Sequence, residues 1–376
     1  MHRPVKITAA LVLALMAVLA VAYVLSRPRV PAGSFLAVEL NGNYHEGGPA
    51  RLLGRLIGRR AGLLDVLDNL NKAANDERIK GVIVRVNDVE TGWARARDIR
   101  NALEAVRIRN KPVVALLRGD HLGGNLEYYV ASVADLVYVT PAGSPLLNGL
   151  SAQYFFLGGV WEKVDVAMEV EQIREYKTAG DMLSRRSMSA KHREMANALL
   201  DSVNREFLST IAEARSLPVE EMEEIVDSSP ASPQAFVEAG LADGIRFFDD
   251  ILAELGEGEA VDTVSEADYS RVRRRSLGLG GGPTVAVVHA AGTLVAGGGD
   301  GRGRAAVSVG SDTLAAALAE AASDGEVKAI VLRIDSPGGS ASASDQVWRQ
   351  VRLAAREKPL VASLGDVGAS GGYYMA

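Results

Sequence analysis

The sequence predicts an α/β fold in which one unit of strands and helices occurs twice, with mostly parallel sheets. The chain has 376 residues, too many for one ordinary domain, so we expect two. Hydrophobic residues make up 48% and aromatic residues only 5%, so we expect cores built from Ala, Val, Leu and Ile. Such cores suit parallel sheets covered by helices on both faces. Strands that alternate with helices, and an internal repeat, indicate the same fold class.

The first element is an apolar run, Ile7–Leu25, which we expect to be a transmembrane helix and an uncleaved anchor. Its nineteen uncharged residues, at a rise of about 1.5 Å each, reach about 28 Å, close to one hydrocarbon core. Basic residues flank the run on both sides, so the positive-inside rule does not orient it. A small-x-small site at Ala20–Ala22 keeps a cleaved signal peptide as the alternative. Residues 1–30 are therefore assigned to a membrane anchor or signal peptide.

Two copies of the α/β unit follow, separated by a short linker. Ile79–Asp88 matches Val327–Ser336 at an offset of 248 residues (327 minus 79), and both are predicted as strands rich in β-branched residues. Residues 271–283 are first basic and then glycine-rich, as expected of an exposed linker. The first α/β repeat is therefore assigned to residues 31–270 and the second to residues 284–376.

The other elements of the two copies stay in step along the chain. They are the opening strands Ser34–Gly42 and Thr284–Gly292, the helices Leu63–Asn75 and Thr313–Ser323, the strands Lys111–Ala115 and Lys358–Ala362, and the glycine-rich stretches Gly123–Tyr129 and Gly368–Tyr374. Ser311 and Asp312 are candidate N-caps of the second helix. The first copy continues through a charged helical stretch, Ala190–Arg215, that the second copy lacks. The second copy stops at Ala376, six residues after Ser370, and we expect it to be truncated, with an incomplete core and exposed apolar surface.

Composition and charge exclude several kinds of chemistry. The chain has no cysteine, which removes thiol catalysis, disulfides and cysteine-based zinc sites. Its five histidines are scattered, and no two have the helical spacing of a metal pair, so we expect neither a metal nor a cofactor. The net charge of −6 gives no reason to expect nucleic-acid binding.

The candidate nucleophile is Ser370, in the small-residue turn Gly368–Gly372. A predicted strand, Leu360–Leu364, runs into this turn, and an apolar helix is predicted to start just after it. Small neighbours let a substrate backbone approach, and the start of a helix offers free N–H groups and a partial positive charge. A serine at a strand-to-helix turn is a recurrent nucleophile position. The alternative is a serine that only caps the helix.

A second glycine-rich loop, Asp335–Gly339, follows directly after a predicted strand. Pro337 restricts φ and the two glycines permit unusual backbone angles, so such a loop can aim N–H groups at an oxyanion. An ordinary β-turn is the alternative. The first copy has Asn87–Thr91 at this place, and Asn125 stands where the second copy has Ser370. The first copy therefore lacks both features.

A serine nucleophile needs a base, and the residues alone leave several candidates. His289 lies in or beside the opening strand of the second copy, while His192 and His121 have no companion pattern. A lysine serves equally well if it is buried, because desolvation lowers its ordinary pKa of about 10.4. Lys177 is one of many lysines, and its simplest interpretation from the residues alone is a surface side chain.

These motifs resemble bacterial signal peptide peptidase A (SppA) of the long, tandem-repeat type, a family similar to the ClpP/crotonase fold class. The resemblance covers essentially the whole chain and rests on Asp335–Gly339, Gly365–Tyr374 and Tyr176–Ala179. After the lysine motif the family usually continues to an acidic-Pro-Phe sequence, whereas this chain has Gly180–Leu183.

The resemblance implies a serine endopeptidase with a Ser-Lys dyad and no cofactor. It implies that Ser370 is the nucleophile, that Lys177 from the first repeat is the general base, and that Gly339 supplies an oxyanion N–H. It also implies a homo-oligomer that degrades signal peptide remnants and other small hydrophobic peptides. The expected location is a bacterial inner (plasma) membrane, with the catalytic part on the periplasmic side.

Two other functions remain open on the sequence. One is a catalytically inactive, truncated SppA-like protein that acts as a fragment or assembly partner, which the end of the chain after Ser370 favours. The other is a crotonase-type acyl-CoA hydratase or isomerase, which would use paired N–H groups and carboxylate bases. The apolar N-terminal run and the motif around Lys177 argue against this second function.

Overall fold

The computed structural model describes residues 29–44, 46, 62–119, 124–299 and 308–376. These residues form two α/β units, each built around a parallel sheet and each with its own hydrophobic core. The predicted α/β class with parallel sheets is therefore confirmed. The predicted span Ile7–Leu25 lies outside the described residues, as does His121. Across the described ranges, no helix combines the length and apolar composition needed to cross a membrane.

The first unit contains a six-stranded parallel sheet in the order β5-β4-β3-β2-β1-β6. The strands are β1 (Ser34–Asn43), β2 (Ile79–Glu90), β3 (Val113–Leu117), β4 (Leu136–Val139), β5 (Gly244–Ile245) and β6 (Thr263–Ser265). Strand β2 is flanked on both sides, and its residues Val82, Ile83 and Val84 are fully buried. Its continuous apolar run suits a strand whose two faces are both covered.

Helices surround this sheet and supply much of the rest of the first core. They are α1 (Leu63–Asn75), α2 (Trp93–Ile108), α3 (Asn125–Ala131), α4 (Gly158–Trp161), α5 (Asp181–Ser184), α6 (Ala190–Arg215), α7 (Val219–Asp227), α8 (Pro233–Glu238), α9 (Phe248–Leu255) and α10 (Glu266–Tyr269). Three short 3-10 turns span Glu162–Val164, Thr178–Gly180 and Arg274–Leu277. The last of these lies within the predicted linker 271–283, where Val272 also packs into the first core.

The second unit has a three-stranded parallel sheet in the order β11-β10-β7 and a separate parallel pair, β8 with β9. Its elements are β7 (Thr284–Ala291), β8 (Thr293–Val295), β9 (Ser308–Gly310), α11 (Ser311–Ser323), β10 (Val327–Ser336), α12 (Ala341–Glu357), β11 (Leu360–Gly368) and α13 (Gly371–Met375). The order β11-β10-β7 matches β3-β2-β1 of the first unit. Strand β11 is an edge strand here, whereas β3 is covered by β4.

The two units also share a local interaction at the end of their first described helix. Lys111 Nζ donates to the carbonyl oxygens of Ala73 and Asp76, both at 2.7 Å, where α1 ends. Lys358 Nζ donates to the carbonyl of Ala321 at 2.9 Å and to that of the residue that caps α11. A lysine near a helix C-terminus satisfies carbonyls that have no partner within the helix.

The prediction that Ser311 and Asp312 cap the second helix is wrong. Helix α11 already begins at Ser311, and Gly310 occupies the N-cap position. The Ser311 side chain is fully buried, donates to Gln346 Oε1 at 2.8 Å and accepts the N–H of Gly297 at 3.3 Å. Its hydroxyl therefore connects α11 to α12 instead of capping a helix.

Candidate active site

Ser370 stands at the sharp turn between β11 and α13. Its backbone angles are φ 50° and ψ −118°, in the positive-φ half of the map that side chains disfavour. Such a conformation costs about 1–3 kcal/mol and persists only where neighbours enforce it. Here the Ala369 N–H donates to Ser336 O at 3.1 Å, and the Tyr374 N–H donates to Ser370 O at 2.9 Å. The result is an exposed serine on a strained strand-to-helix turn, the geometry of a nucleophile elbow.

The glycines around Ser370 are required by close packing. A Cβ on Gly338 would lie 2.8 Å from Ser370 Cβ and 2.5 Å from the nitrogen of Gly371. A Cβ on Gly371 would lie 2.2 Å from Ser344 Oγ. The loop after β10 and the turn after β11 therefore touch backbone to backbone, which explains why both are rich in glycine.

Gly339 is held in this loop by a single β-bridge to Leu294 of β8. The Leu294 N–H donates to Gly338 O at 2.8 Å, and the Ser340 N–H donates to Leu294 O at 2.9 Å. Peptide groups alternate in direction along an extended segment, so the N–H of Gly339 points away from β8. Within the described part of the chain it has no hydrogen-bond partner.

The hydroxyl of Ser336 fixes the start of the same loop. Ser336 is fully buried, its Oγ donates to Gly292 O at 2.6 Å, and it accepts the N–H of Gly338 at 3.1 Å. The conformation of the loop is therefore fixed by the Ser336 side chain and by its contacts with Gly292 and with Leu294 of β8.

Lys177 reaches this turn from the first unit. Its Nζ lies 3.1 Å from Ser370 Oγ, although the two residues are 193 positions apart in the chain. Both side chains are exposed to solvent. The structure thus brings the predicted base and the predicted nucleophile within hydrogen-bonding distance, with Gly339 in the adjoining loop.

The segment that carries Lys177 is attached to the start of α6. Tyr176 Oη donates to Glu194 Oε1 at 2.7 Å, and Lys191 Nζ lies 3.1 Å from Tyr176 Oη and 2.8 Å from Glu194 Oε2. The hydrogen bonds from Lys191 and Tyr176 lower the pKa of Glu194. Thr178, on the other side of Lys177, is buried. The lysine is therefore flanked by one anchored residue on each side.

The residues that depart from the family pattern form a compact turn. Gly180 ends the 3-10 turn, Asp181 starts α5 and is buried, and the carbonyl of Met182 accepts the Leu157 N–H at 2.8 Å. A Cβ on Gly180 would lie 2.2 Å from Val170 Cγ1. The backbone after the lysine is thus held by close packing without the Pro-Phe pair.

The matching place in the first unit is filled by side chains. Asn125 begins α3, and its side chain makes two hydrogen bonds with Asn148. Asn125 Nδ2 donates to Asn148 Oδ1 at 3.2 Å, and the backbone N–H of Asn148 donates to Asn125 Oδ1 at 3.1 Å. Glu127 Oε1 accepts the N–H of Val89 at 2.8 Å, and burial raises the pKa of Glu127. These contacts occupy the position at which the second unit leaves Ser370 open.

The other candidate bases do not reach the nucleophile. His289 lies in β7, as predicted, and its Nδ1 is 3.5 Å from Glu46 Oε2. His192 is buried near the start of α6. Neither ring contacts Ser370 in the part of the chain that the structure describes. Nor do the described residues include a group of three or more His, Asp or Glu side chains arranged to hold a metal ion.

Charged side chains at the boundary between the units were missed by the sequence reasoning. Arg333 Nη2 lies 2.6 Å from Glu46 Oε1 and 2.7 Å from Asp98 Oδ2, and its Nη1 donates to Ser363 Oγ at 3.0 Å. Burial alone would raise the pKa of Glu46, but interactions with His289 and Arg333 outweigh it and lower that pKa to about 2. Glu46 and Arg333 are 287 positions apart, so no local pattern signals their contact.

Comparison with known proteins points to one family. The model of peptidase family S49 matches residues 105–262, a range that contains Lys177 and ends before Ser370. Serine protease SPPA, chloroplastic, of Arabidopsis thaliana is 34% identical over 360 residues, which cover 93% of this chain and 51% of that protein. Protease 4 of Haemophilus influenzae is 27% identical over 87% of this chain and 55% of its own length. Protease 4 of Salmonella typhi is 27% identical over 84% of this chain and 52% of its own length. The chain spans about half the length of these curated relatives.

Proposed function

We propose that this chain, an SppA-type member of peptidase family S49, is a serine peptidase that cleaves peptides with Ser370 as nucleophile and Lys177 as general base. The observation that carries the proposal is the 3.1 Å approach of Lys177 Nζ to Ser370 Oγ. Two further features support it: the strained turn that presents Ser370, and the N–H of the adjoining Gly339, which has no hydrogen-bond partner among the described residues.

The proposed reaction is acyl transfer to Ser370. Neutral Lys177 takes the proton from Ser370 Oγ, and the oxygen attacks the peptide carbonyl. The N–H groups at Gly339 and at the start of α13 donate to the oxyanion that forms. Lys177 then gives its proton to the leaving amine, and water releases the acyl group from the enzyme. Besides substrate and water, each step of this proposal uses a group of this chain.

We further propose that the working site is covered by substrate and by further copies of the chain, as a homo-oligomer. A lysine amine becomes a base near neutral pH when it is desolvated, yet the Lys177 side chain is exposed. Large apolar side chains are exposed along the same segment, with Phe155 at 70% and Ile173 at 85%. Exposed apolar surface of this kind is typical of interaction sites.

The proposed substrates are signal peptide remnants and other small hydrophobic peptides, and the proposed location is a bacterial inner (plasma) membrane. The apolar segment around Lys177 supports apolar substrates. The run Ile7–Leu25 supports a single-pass anchor, with the catalytic part on the periplasmic side. One relative is named as chloroplastic, so the equivalent compartment differs between organisms.

We also propose that the two units are tandem copies with divided roles. Their common strand order and the matching contacts of Lys111 and Lys358 support this. The first copy, whose own site is filled by Asn125 and Glu127, would supply the base, and the second copy would supply the nucleophile.

One alternative is supported by a specific observation. The exposure of both Lys177 and Ser370 supports a second candidate function, that of an inactive partner in a larger SppA-like assembly. The direct Lys177–Ser370 contact favours a peptidase over a crotonase-type acyl-CoA enzyme.

The proposal is tested by labelling with a fluorophosphonate, a reagent that phosphonylates activated serines. We expect labelling of the chain to be lost in Ser370→Ala and reduced by about 10²-fold or more in Lys177→Ala. The exposed Ser342→Ala and Lys163→Ala variants are matched controls and should label like the parent. Near-full labelling of Lys177→Ala would contradict the dyad. Absence of labelling in the parent chain would favour the inactive partner.

A further inference from the structure

Helix α2 of the first unit takes its N-terminal cap from the second unit. The Asp366 carboxylate accepts the Gly92 N–H at 3.0 Å, the Ala94 N–H at 2.8 Å and the Arg95 N–H at 3.2 Å. These are backbone donors at the start of a helix, which have no partner inside the helix, and a negative charge there also complements the helix dipole. Gly92, the N-cap residue itself, has no side chain that could do this.

The side chain of Arg95 extends the same connection. Its Nε is 3.0 Å from Asp366 Oδ2, its Nη2 pairs with Asp335 Oδ2, and its Nη1 donates to Tyr44 O at 3.0 Å. Asp335 in turn accepts the Val367 N–H through Oδ1 at 2.9 Å. The three charged side chains are only 12–13% exposed. One guanidinium of the first unit therefore holds two carboxylates of the second.

These two carboxylates flank the reactive parts of the second unit. Asp335 immediately precedes the loop that ends at Gly339, and Asp366 lies four residues before Ser370. Lys177, in contrast, belongs to the first unit. The contact between α2 and the Asp366 carboxylate therefore joins the turn that carries Ser370 to the unit that carries Lys177.

We infer that Asp366 is a positioning residue, which docks the nucleophile turn onto α2 and so sets the distance between Lys177 and Ser370. The inference rests on the proposed function in that it assigns a purpose to this distance. The close fit at Gly92 supports it, because a Cβ there would lie 2.2 Å from Asp366 Cγ. A side chain at position 92 would therefore collide with the carboxyl group that caps the helix.

A rate measurement tests the inference in the full chain. We expect Asp366→Ala to slow fluorophosphonate labelling of Ser370 by about 10²-fold, as a small misplacement of reacting groups does, and to change its pH profile. The labelling rate of Asp366→Asn should lie between those of the parent and Asp366→Ala, because its one remaining oxygen can still accept the N–H groups of Ala94 and Arg95. The double variant Arg95→Ala/Asp366→Ala should label only slightly more slowly than the slower of the two single variants, because the two side chains act through the same contact.

Asp345→Ala is the matched control for these rates. Asp345 also lies in the second unit and accepts a hydrogen bond from Tyr374 Oη at 2.9 Å, but its bond stays within that unit. The Asp345→Ala variant should therefore be labelled at the same rate as the parent chain. Circular dichroism and the melting temperature identify variants that do not fold, and Asp366→Asn then takes the place of Asp366→Ala.

A geometric measurement separates the inference from the proposed chemistry. The chain has no cysteine, so the double variant Lys177→Cys/Ser370→Cys carries the only two thiols, which a dibromobimane can bridge. We expect Asp366→Ala to slow this bridging at least about fivefold, and Asp345→Ala to leave it unchanged. Unchanged bridging and unchanged labelling in Asp366→Ala would overturn the inference. Asp366-dependent bridging of the double-cysteine variant, together with no labelling of the parent chain, would instead refute the proposed function alone.

Discussion

Gly339 lies at a point of the second unit where a side chain has no space. A Cβ there would lie 2.2 Å from Leu294 O and 2.8 Å from Leu294 N, both backbone atoms that cannot move alone. Its φ of 154° lies at the edge of the region that side chains rarely adopt. A substitution must therefore shift the loop and with it the N–H that we assign to the oxyanion.

We expect Gly339→Ala to lower the rate of fluorophosphonate labelling by about 10²–10³-fold, the usual cost of losing an oxyanion donor. The matched control is Gly325→Ala, since a Cβ at Gly325 meets nothing within 4 Å. A Gly339→Ala variant that labels as fast as Gly325→Ala would remove Gly339 from the site.

At this scale the sequence predicts the reactive residues only with the help of the family resemblance. Ser370 stands out in a glycine-rich turn, but Lys177 has no local feature that separates it from other lysines. Asp366 and Arg95 are invisible in advance, because their contact joins residues 271 positions apart. Their partners are defined by the packing of two units, which no local pattern encodes.

Among the elements, α10 contacts α1 at Glu266, whose carboxyl group is largely buried. The Glu266 Oε1 atom is buried without a hydrogen-bond partner among the described residues, and Asn69 Nδ2 of α1 lies 3.4 Å from Glu266 O. Burial, with a smaller contribution from the nearby charge of Asp65, raises the pKa of Glu266 to about 7. The folded protein therefore holds this proton more tightly than the unfolded chain does.

This raised pKa predicts a stability that falls as pH rises. The contribution is fully present below about 4.5, the ordinary pKa of the carboxyl, and is lost as pH rises through about 7. Glu266→Gln stays neutral, so we expect it to exceed the parent in free energy of unfolding by about 1–3 kcal/mol at pH 8, but not at pH 4.5. Urea denaturation at both pH values measures the difference, with the exposed Glu223→Gln as control. Equal differences at both pH values would contradict the assignment.

The bounds of several elements are predictable for a simple reason. Helix α1 spans Leu63–Asn75 as predicted, because Leu63, Val66, Leu70 and Ala73 recur at helical spacing and all face the core. Helix α6 spans Ala190–Arg215 as predicted. The prediction fails at Ser311, where a residue typical of N-caps is used for a tertiary hydrogen bond to Gln346. Local sequence preferences predict where a helix begins and ends, except where a side chain such as that of Ser311 bonds to a residue distant in the sequence.

At the scale of the whole molecule, Glu46 contributes to the joint between the two units. Its side chain is 3% exposed and contacts Arg333 and His289 of the second unit. Its pKa of about 2, below the ordinary 4.5, means that the joint is fully stabilised above pH 4.5 and weakens as pH falls through about 2.

We therefore expect acid to separate the units before it unfolds the larger core. Calorimetry of the parent should show one coupled transition at pH 7 and a separate, earlier transition of the second unit near pH 3. Glu46→Gln should show the two transitions already at pH 7, because it lacks the charge that holds Arg333. Glu257→Gln, an exposed change in the first unit, is the control. Coincident transitions for Glu46→Gln at pH 7 would disprove this role of Glu46.

The relation between the units is also the part of the fold that the sequence does not predict. The repeat indicates two similar sheets, yet it does not say which faces meet. The joint depends on Arg95, Arg333 and a few carboxylates, whose charges look like ordinary surface residues until the units are docked. The confirmed part of the fold is thus the class of each unit, and the docking is known from the structure alone.

The cap that Asp366 places on α2 has a consequence for the ribosome-bound chain. Gly92 emerges 274 residues before Asp366, which at about 5–20 residues per second is a delay of roughly 14–55 s. During that interval α2 is left with solvated amides, and Lys177, which is made 193 residues before Ser370, has no serine beside it. Under the proposed mechanism, the nascent protein is inactive until translation has passed codon 370. The proposed division of the dyad between two units therefore delays proteolysis until the second unit has been made.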